Sequence, residues 1–361
     1  DLEGLKDFFI KAYGESTVFQ SEAFLTYYFQ NPWEPSSIFK VNWIGLNNKE
    51  EVVSHYGGLQ YQMHLGDQLI SAIWGVNAYT LPAWRGLGFN GTLVNKLFEE
   101  NPINATLGMA LETHKFYKKL GYNVFDHKRM KRYIFNLSEK TFELVKDMGY
   151  QVERAQTLVG LNKEVLEIAS ADNIIMLKDE HLDRINIVYD QKAVCTTFRD
   201  SEFLKWRFLN HPFIDYKVFG FLGNNGLAAY LAIRLEELQP SNSKVARIID
   251  MYGDSDGIQD LLAHVIAWCK KQACLYLDFS KIGDLYSEEL LNAGFKELEE
   301  EDVVLFPQVS APVVPRPNHE YLALQSVYHN EYIQKLGIGD IYFTRMDSDR
   351  DRIAKVNQIN S

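Results

Sequence analysis

Residues 79–91 read Y-T-L-P-A-W-R-G-L-G-F-N-G. An apolar, β-prone segment, 70–81, runs into this stretch. Segment 91–100 leaves it with Leu93, Val94, Leu97 and Phe98 on one face at helical spacing. The pattern predicts a strand, a loop and a helix. Glycine at 86, 88 and 91 lets the backbone approach a ligand closely, the helix N-terminus offers unpaired N–H groups, and Arg85 adds a guanidinium fork. Together they make an anion site suited to phosphate. A second constellation is Trp206 with Arg207, an aromatic face beside a fork, apt for a nucleotide or simply for an amphipathic helix. Asp347-x-Asp349-x-Asp351 opens like a calcium loop. Arg352 stands where that loop needs glycine and Gln358 where it needs glutamate, so no metal site is expected. Alternating acids and arginines, Asp349 and Arg352 among them, suit sugar hydroxyls and phosphates, or else a solvated tail. No H-E-x-x-H, C-x-x-C or G-x-S-x-G occurs, so zinc proteolysis and serine hydrolysis find no support.

The elements that must position these groups repeat along the chain. Residues 21–32 read S-E-A-F-L-T-Y-Y-F-Q-N-P and residues 201–212 read S-E-F-L-K-W-R-F-L-N-H-P. With Phe24 set on Phe203, an offset of 203 − 24 = 179, Tyr27 meets Trp206, Phe29 meets Phe208 and Asn31 meets Asn210. After each copy come three β-prone segments, 38–46, 52–60 and 68–79 in the first, 216–222, 227–236 and 246–251 in the second. Each set precedes one helical segment (91–100; 257–272), a strand, and a short helix ending in Gly121-Tyr122 or Gly294-Phe295. The expected fold class is α/β (α+β): two tandem domains of one type, each a mixed, mostly antiparallel sheet flanked by helices. The expected division is 1–135, a connecting segment 136–195, a second domain 196–310, and a Pro-rich linker and tail 311–361 containing Pro312, Pro315 and Pro317. Within the connection, 138–148 reads as a helix capped by Ser138, and 180–189 as helical. The second copy carries Asp254 and Asp256 in its turn and no arginine there. Acids repel an anion, so that copy is expected to form scaffold or half of an acceptor cleft.

Composition narrows the partners. The balance of 37 basic against 48 acidic residues gives −11, which favours neither nucleic acid nor an anionic membrane. No apolar run approaches the ~20 residues of a membrane span, so no membrane insertion is expected. Cys195, Cys269 and Cys274 are odd in number and sit in apolar runs, as reduced core residues of a cytoplasmic protein would.

The order strand, L-P-A-W-R-G-L-G-F-N-G, helix, strand, and a helix bearing F-Y-K-K-L-G-Y resembles the GNAT acyltransferases. Their phosphate loop follows R/Q-x-x-G-x-G/A, onto which Arg85, Gly88 and Asn90 fall. Asn90 departs from that pattern, although Gly91 follows at once. The resemblance implies two GNAT-like domains and acyl-CoA as co-substrate. Its pyrophosphate would be held by Leu81, Arg85, Gly86, Leu87, Gly88, Phe89, Asn90 and Gly91. It also implies that Tyr117, at the position of the family's tyrosine before the Gly-aromatic, is the acid for a departing thiolate. Three further pieces, H-Y-G-G (55–58), F-L-K-W-R-F-L-N-H-P (203–212) and D-S-D-R-D-R (347–352), make the chain similar to tandem-GNAT N-acyltransferases of bacterial surface-polysaccharide biosynthesis, the O-antigen or capsule. Those enzymes acylate an amino group on a nucleotide-linked sugar. The nearest likeness is to those acting on dTDP-3-amino-3,6-dideoxyhexoses, with either an acetyl or a hydroxyacyl donor such as 3-hydroxybutanoyl.

Such a reaction needs a neutral amine, a donor for the oxyanion and a proton for the thiolate. Tyr117 is the candidate acid and His55 the candidate base or amine ligand, while a positioned water would also suffice for a sugar amine. Glu112 and His114 precede the short helix, near where a thioester would lie. The plainer readings are a core tyrosine, a satisfied strand histidine and surface groups. The basic run 127–132 would help hold a phosphorylated adenosine ribose, or end a strand in solvent. Trp206, Arg207, Asp349 and Arg352 are expected to form the acceptor wall between the copies. A homodimer is compatible with all of this. Two rivals stand beside this reading. One is a Fem-like aminoacyl transferase of cell-wall synthesis, which would favour a basic surface. The other is a non-catalytic acyl-CoA-binding module, which could lose Tyr117.

Overall fold

The computed structural model describes residues 2–33, 38–109, 113–161, 172–185, 193–238, 243–306 and 321–353. The first half runs α1 (Leu2–Tyr13), α2 (Glu22–Tyr28), β1 (Asn42–Leu46), β2 (Val52–Leu65), β3 (Gln68–Thr80), α3 (Phe89–Glu100), β4 (Ile103–Met109), α4 (His114–Lys119), β5 (Asn123–Arg129) and β6 (Lys131–Asn136). The connection holds α5 (Lys140–Asp147), α6 (Val152–Val159), β7 (Ile174–Met176) and β8 (Cys195–Thr197). The second half runs α7 (Ser201–Leu204), β9 (Tyr216–Gly223), β10 (Gly226–Leu238), β11 (Ser243–Gly253), α8 (Ser255–Lys271), β12 (Tyr276–Ile282), α9 (Ser287–Asn292) and β13 (Lys296–Leu298). The chain then adds β14 (Tyr321–Ser326), α10 (Asn330–Ile333) and β15 (Ile341–Thr344).

The element order of the first half recurs in the second. The starts of the matched helices coincide as well: Ser21 caps α2 by accepting from Phe24 N, and Asp200 caps α7 by accepting from Phe203 N, an offset of 200 − 21 = 179. Segment 38–46 was expected to be all strand. Its first part, Ile38–Val41, is a helical turn and the strand starts at Asn42. The helix expected from 138 begins at Lys140, whose N–H is met by the Ser138 hydroxyl at 3.2 Å. In 180–189 a single turn, Asp179–Arg184, is helical, and 186–192 lie outside the described residues. All three cysteines are free and buried.

The strands join in one mixed sheet along the path β5–β14–β4–β3–β2–β8–β15–β12–β11–β10–β9–β7, with β1 on β2 and β6 between β12 and β13. Two strands change halves. β6 leaves the first half and pairs with β12 and β13 of the second. β14 returns from the far end of the chain and lies between β4 and β5 of the first half, antiparallel to both. Segment 311–361, read from sequence as linker and tail, therefore supplies an inner strand: Leu322, Ala323 and Leu324 are fully buried. One apolar core runs through both halves.

Within each half, two parallel strands meet only at their starts. β3 pairs β4 through Ala72, Ile73 and Trp74 and then diverges, and β11 pairs β12 through Ala246, Arg247 and Ile248 and then diverges. Each divergence leaves a notch. In the second half β15 fills it, paired to β12 at Lys281 and Ile282, and β8 carries the sheet on from β15 to β2. The first notch holds no strand among the described residues.

Candidate active site

The stretch 79–91 forms the rim of the first notch. Gly86 and Gly88 have φ of 81° and 84°, in the left-handed region where a side chain is strained, and open space lies where a Cβ would stand on each. Gly88 precedes α3 and offers no side chain to cap it. The first-turn N–H groups of Phe89, Asn90 and Gly91 thus end in a groove of about 520 Å³ lined by those residues, Arg85, Gly86 and Gly88. Arg85 is exposed, lies 5.4 Å over the Tyr79 ring and donates from Nε to Thr80 O at 3.1 Å. Its terminal nitrogens therefore swing about a fixed root. Two residues expected here do not line the groove. Leu81 packs on the core and donates its N–H to Val53 O, and Leu87 points outward with 66% exposure. Asn90, which departs from the family pattern, does line it.

The matching turn of the second half is closed to anions. The Asp254 carboxylate accepts from Gly257 N at 3.1 Å, so α8 carries its own negative cap. The notch beside it is filled too. Tyr286 donates from its hydroxyl to Gly253 O at 2.6 Å and accepts from Gly253 N at 2.9 Å, while Tyr342 donates to Met251 O at 2.6 Å.

In the apolar cluster behind the groove, and not lining it, the Tyr117 hydroxyl lies 3.1 Å from that of Tyr56, with Thr106 as a further hydrogen-bonding neighbour. Burial raises the pKa of both phenols, so both keep their protons near neutrality. A side-chain carbon at Gly75 would overlap the Tyr56 hydroxyl, so glycine there lets Tyr56 pass under β3. Phe116, beside Tyr117, lines the groove itself. The sequence reading missed Tyr56; its only signal was its place between His55 and Gly57 in a glycine-bearing strand.

His55 is not a base. It is fully buried, its Nδ1–H donates to Asn77 O at 3.1 Å, and Asn42 Oδ1 stands 2.7 Å from Nε2, where a neutral ring accepts from the amide nitrogen once that amide is turned over. Burial lowers its pKa to about 4, so the ring is neutral and both nitrogens are engaged. What it does is hold a bulge. Gly57 pairs with Val76 and His55 with Tyr79, which leaves Asn77 and Ala78 outside the regular ladder, with Asn77 at φ 54°. Ala78 and Tyr79 then turn into the groove. His114 is buried edge-on against Tyr321 at 4.4 Å, which makes it a packing residue of the strand returned from the C-terminal segment. Glu112 lies outside the described residues. Of the basic run, Arg132 is fully buried on Asp278 and serves the fold, while Lys131 is partly exposed and pairs with Glu297.

Between the halves lies a small cavity of about 30 Å³ to which Trp206, Arg207, Asp349 and Arg352 all contribute, beside Tyr27 and Tyr28. Tyr27 and Trp206, partners in the repeat alignment, face each other with ring centres 5.6 Å apart, and Tyr27 donates to Trp206 O at 2.9 Å. Trp206 and Arg207 sit on a wide π-type turn closed by Asn210 N to Lys205 O at 2.8 Å, a geometry frequent at functional sites. Arg207 is not a free phosphate fork. It donates to Met346 O, to the Tyr216 hydroxyl and to Asp351, so its guanidinium shapes the wall from within. Asp351 also accepts from Tyr216 and from Arg234, and its burial, which alone would raise its pKa, is outweighed by the two arginines. The run 347–352 is therefore mostly interior, not a solvated tail. The cavity touches the bulge: Tyr28 lines it and its hydroxyl accepts from Asn77 Nδ2 at 3.3 Å.

No His, Cys, Asp or Glu cluster fit for a metal ion occurs among the described residues, and no helix there is long and apolar enough to cross a membrane. No family model matches the chain, and the comparison with curated proteins returns no match. Solved structures do match. The chain is similar to a protein from Enterococcus faecalis described as a probable N-acyltransferase, at 12% identity and a TM-score of 0.55, over 90% of this chain and 70% of that one. It is similar to a GCN5-related N-acetyltransferase from Anabaena variabilis, at 12% identity and a TM-score of 0.54 over the same shares. It is also similar to Saccharomyces cerevisiae N-myristoyltransferase with bound myristoyl-CoA, at 8% identity and a TM-score of 0.50, over 84% of this chain and 73% of that one. The fold is thus that of the GCN5-related N-acetyltransferases.

Proposed function

We propose that this chain is an acyl-CoA-dependent N-acyltransferase whose acceptor is the amino group of a nucleotide-linked sugar, a dTDP-amino-dideoxyhexose being favoured. The observation that carries the donor half is the contrast between the two copies of one turn. In the first, Arg85, two left-handed glycines and an uncapped helix face a groove; in the second, Asp254 caps the helix and Tyr286 and Tyr342 fill the notch. Pyrophosphate fits the first and is refused by the second. The neighbours of this fold include a structure with bound myristoyl-CoA, which supports the same donor class.

The residues then divide the work. The bulge held by His55 presents backbone at Asn77 and Ala78 to the thioester oxygen, where an N–H would stabilise the oxyanion. Tyr117 gives its proton to the sulfur as the C–S bond breaks, and Tyr56 hydrogen-bonds the phenol behind it. With His55 tied up, the amine loses its proton to water, which a sugar amine of modest basicity allows. The interface cavity lies across the bulge from the groove and marks where the amine-bearing ring meets the wall; its enclosed space of about 30 Å³ takes one substituent of that ring, so the rest of the sugar and the nucleotide extend beyond it. The Tyr56–Tyr117 pair favours catalysis over a module that only senses acyl-CoA.

The test is thiol release from acetyl-CoA and 3-hydroxybutanoyl-CoA with a panel of dTDP- and UDP-linked amino sugars. The expected result is amine-dependent release with the acyl mass appearing on the sugar nitrogen. Release with no acylated sugar anywhere in the panel would overturn the acceptor, and no release with any amine would overturn the enzyme.

A further inference from the structure

Ser348 is 4% exposed, and its hydroxyl has no hydrogen-bonding partner among the described residues. Its φ is 59°, a left-handed conformation that a serine holds only under constraint. The constraint is visible on both sides. The Asp347 carboxylate accepts from Thr197 Oγ1 at 2.5 Å and from Thr344 N at 2.7 Å, and Asp349 is paired with Arg350 and Arg352. The anchored flanks set Ser348 into the wall of the interface cavity. Across the same cavity the Trp206 indole nitrogen is also buried without a partner. Buried polar groups are nearly always hydrogen-bonded, and an orphan loses the free energy of its lost hydration. Arg352, on the same cavity, has its Nε without a hydrogen bond as well, though an Asp349 oxygen lies 3.6 Å from it; the two neutral orphans, one held in a strained backbone, are what a ligand-binding wall looks like when the ligand supplies the missing bonds.

We infer that Ser348 and the Trp206 indole N–H select a ring at the mouth of this cavity through a hydroxyl that enters it. The inference rests on the reading that the acceptor binds between the halves. The chemistry of the pair defines the ligand. An indole N–H only donates, so the ring must present an oxygen acceptor to it, while a serine hydroxyl takes either role. Tyr27, Tyr28 and Tyr61 supply aromatic walls, which suit the apolar faces of a sugar and would hold a plain cyclic amine equally well. Charge adds little preference, because Arg207 and Arg352 are matched by Asp351 and Asp349. The two orphans thus carry discrimination between a hydroxylated and an unhydroxylated ring, the kind of selection that hydrogen-bonding sites perform well.

Ser348→Ala, Ser348→Gly and Trp206→Phe are compared with the parent chain at saturating acetyl-CoA. The probes are a dTDP-linked 3-amino-3,6-dideoxyhexose and cyclohexylamine. Each variant is expected to lower kcat/KM for the amino sugar about tenfold or more, the scale of one lost hydrogen bond in a buried site. The Kd for CoA should stay within twofold in all three variants, and cyclohexylamine turnover within twofold in the two Ser348 variants. Ser348→Gly relieves the backbone strain while removing the hydroxyl, so a loss shared by Gly and Ala with no fall in Tm excludes unfolding as the cause. If the parent acylates the amino sugar and these variants do so equally well, the orphans serve ordered water and this inference fails while the acceptor reading stands. If the parent releases thiol with other amines but acylates no amino sugar, the acceptor reading fails and takes the inference with it.

Discussion

Tyr117→Phe is expected to slow acyl transfer by about 10²–10⁴ at saturating substrates, the usual worth of a positioned general acid. The substitution removes one hydroxyl and almost no volume from a ring that is 6% exposed, so the first-half core should persist. The phenol belongs to a pair: its hydroxyl is 3.1 Å from that of Tyr56. Burial holds both protonated, so the loss should be the same from neutral to moderately alkaline pH. CoA affinity should not move, because the proposal places the pyrophosphate at the groove rim and not at α4. A drop of less than a few-fold would mean that the thiolate leaves through water and that Tyr117 is packing.

Asp278→Asn is expected to lower the unfolding free energy by about 3–5 kcal/mol, the cost of removing one partner from a buried ionic cluster. The carboxylate is fully buried and receives three guanidinium groups: Arg132 at 2.6 Å, Arg247 at 2.7 Å and Arg345 at 3.4 Å. Burial alone would raise its pKa, but Arg247, Arg345 and Arg132 outweigh that and hold it at about 2. Its folded pKa is thus below the ordinary 3.8, so its stabilisation is complete above that value and is lost only as pH falls through about 2. An amide cannot neutralise three cations. Their positions explain why the effect is global: Arg132 comes from β6, the strand given by the first half, Arg247 from β11, and Arg345 from the segment after β15. Urea unfolding at pH 7 reads the loss as a lower midpoint, and a change under about 1 kcal/mol would show that the arginines find other partners.

Local pattern carried much of this molecule and long-range pairing carried the rest. The helix expected at 257–272 is α8, and the strand–loop–helix around Arg85 is β3 and α3, because apolar period and glycine placement act within a few residues. The exchange of β6 and β14 left no such trace. Nothing in Y-L-A-L-Q-S at 321–326 says that its neighbours are β4 and β5, some two hundred residues back. The types of the polar residues were likewise readable while their surroundings were not. His55 looked like a base until its burial and two hydrogen bonds were known, and Arg207 looked like a fork for phosphate until Asp351 was placed on it. Trp206, Arg207, Asp349 and Arg352 do come to one cavity, since the aligned helices α2 and α7 face each other there. Ser348 could not be singled out, because its signal is a backbone angle and a missing partner.

The central claim is that one acyl-CoA binds per chain, through the turn of the first half. Calorimetric titration of the full chain with CoA tests it directly, beside Arg85→Glu. The account predicts a single site, weakened by about 1–3 kcal/mol in the variant, because a charge-assisted contact to pyrophosphate is replaced by a repulsion at an exposed residue. Two CoA per chain, or an affinity that Arg85→Glu leaves unchanged, would contradict it.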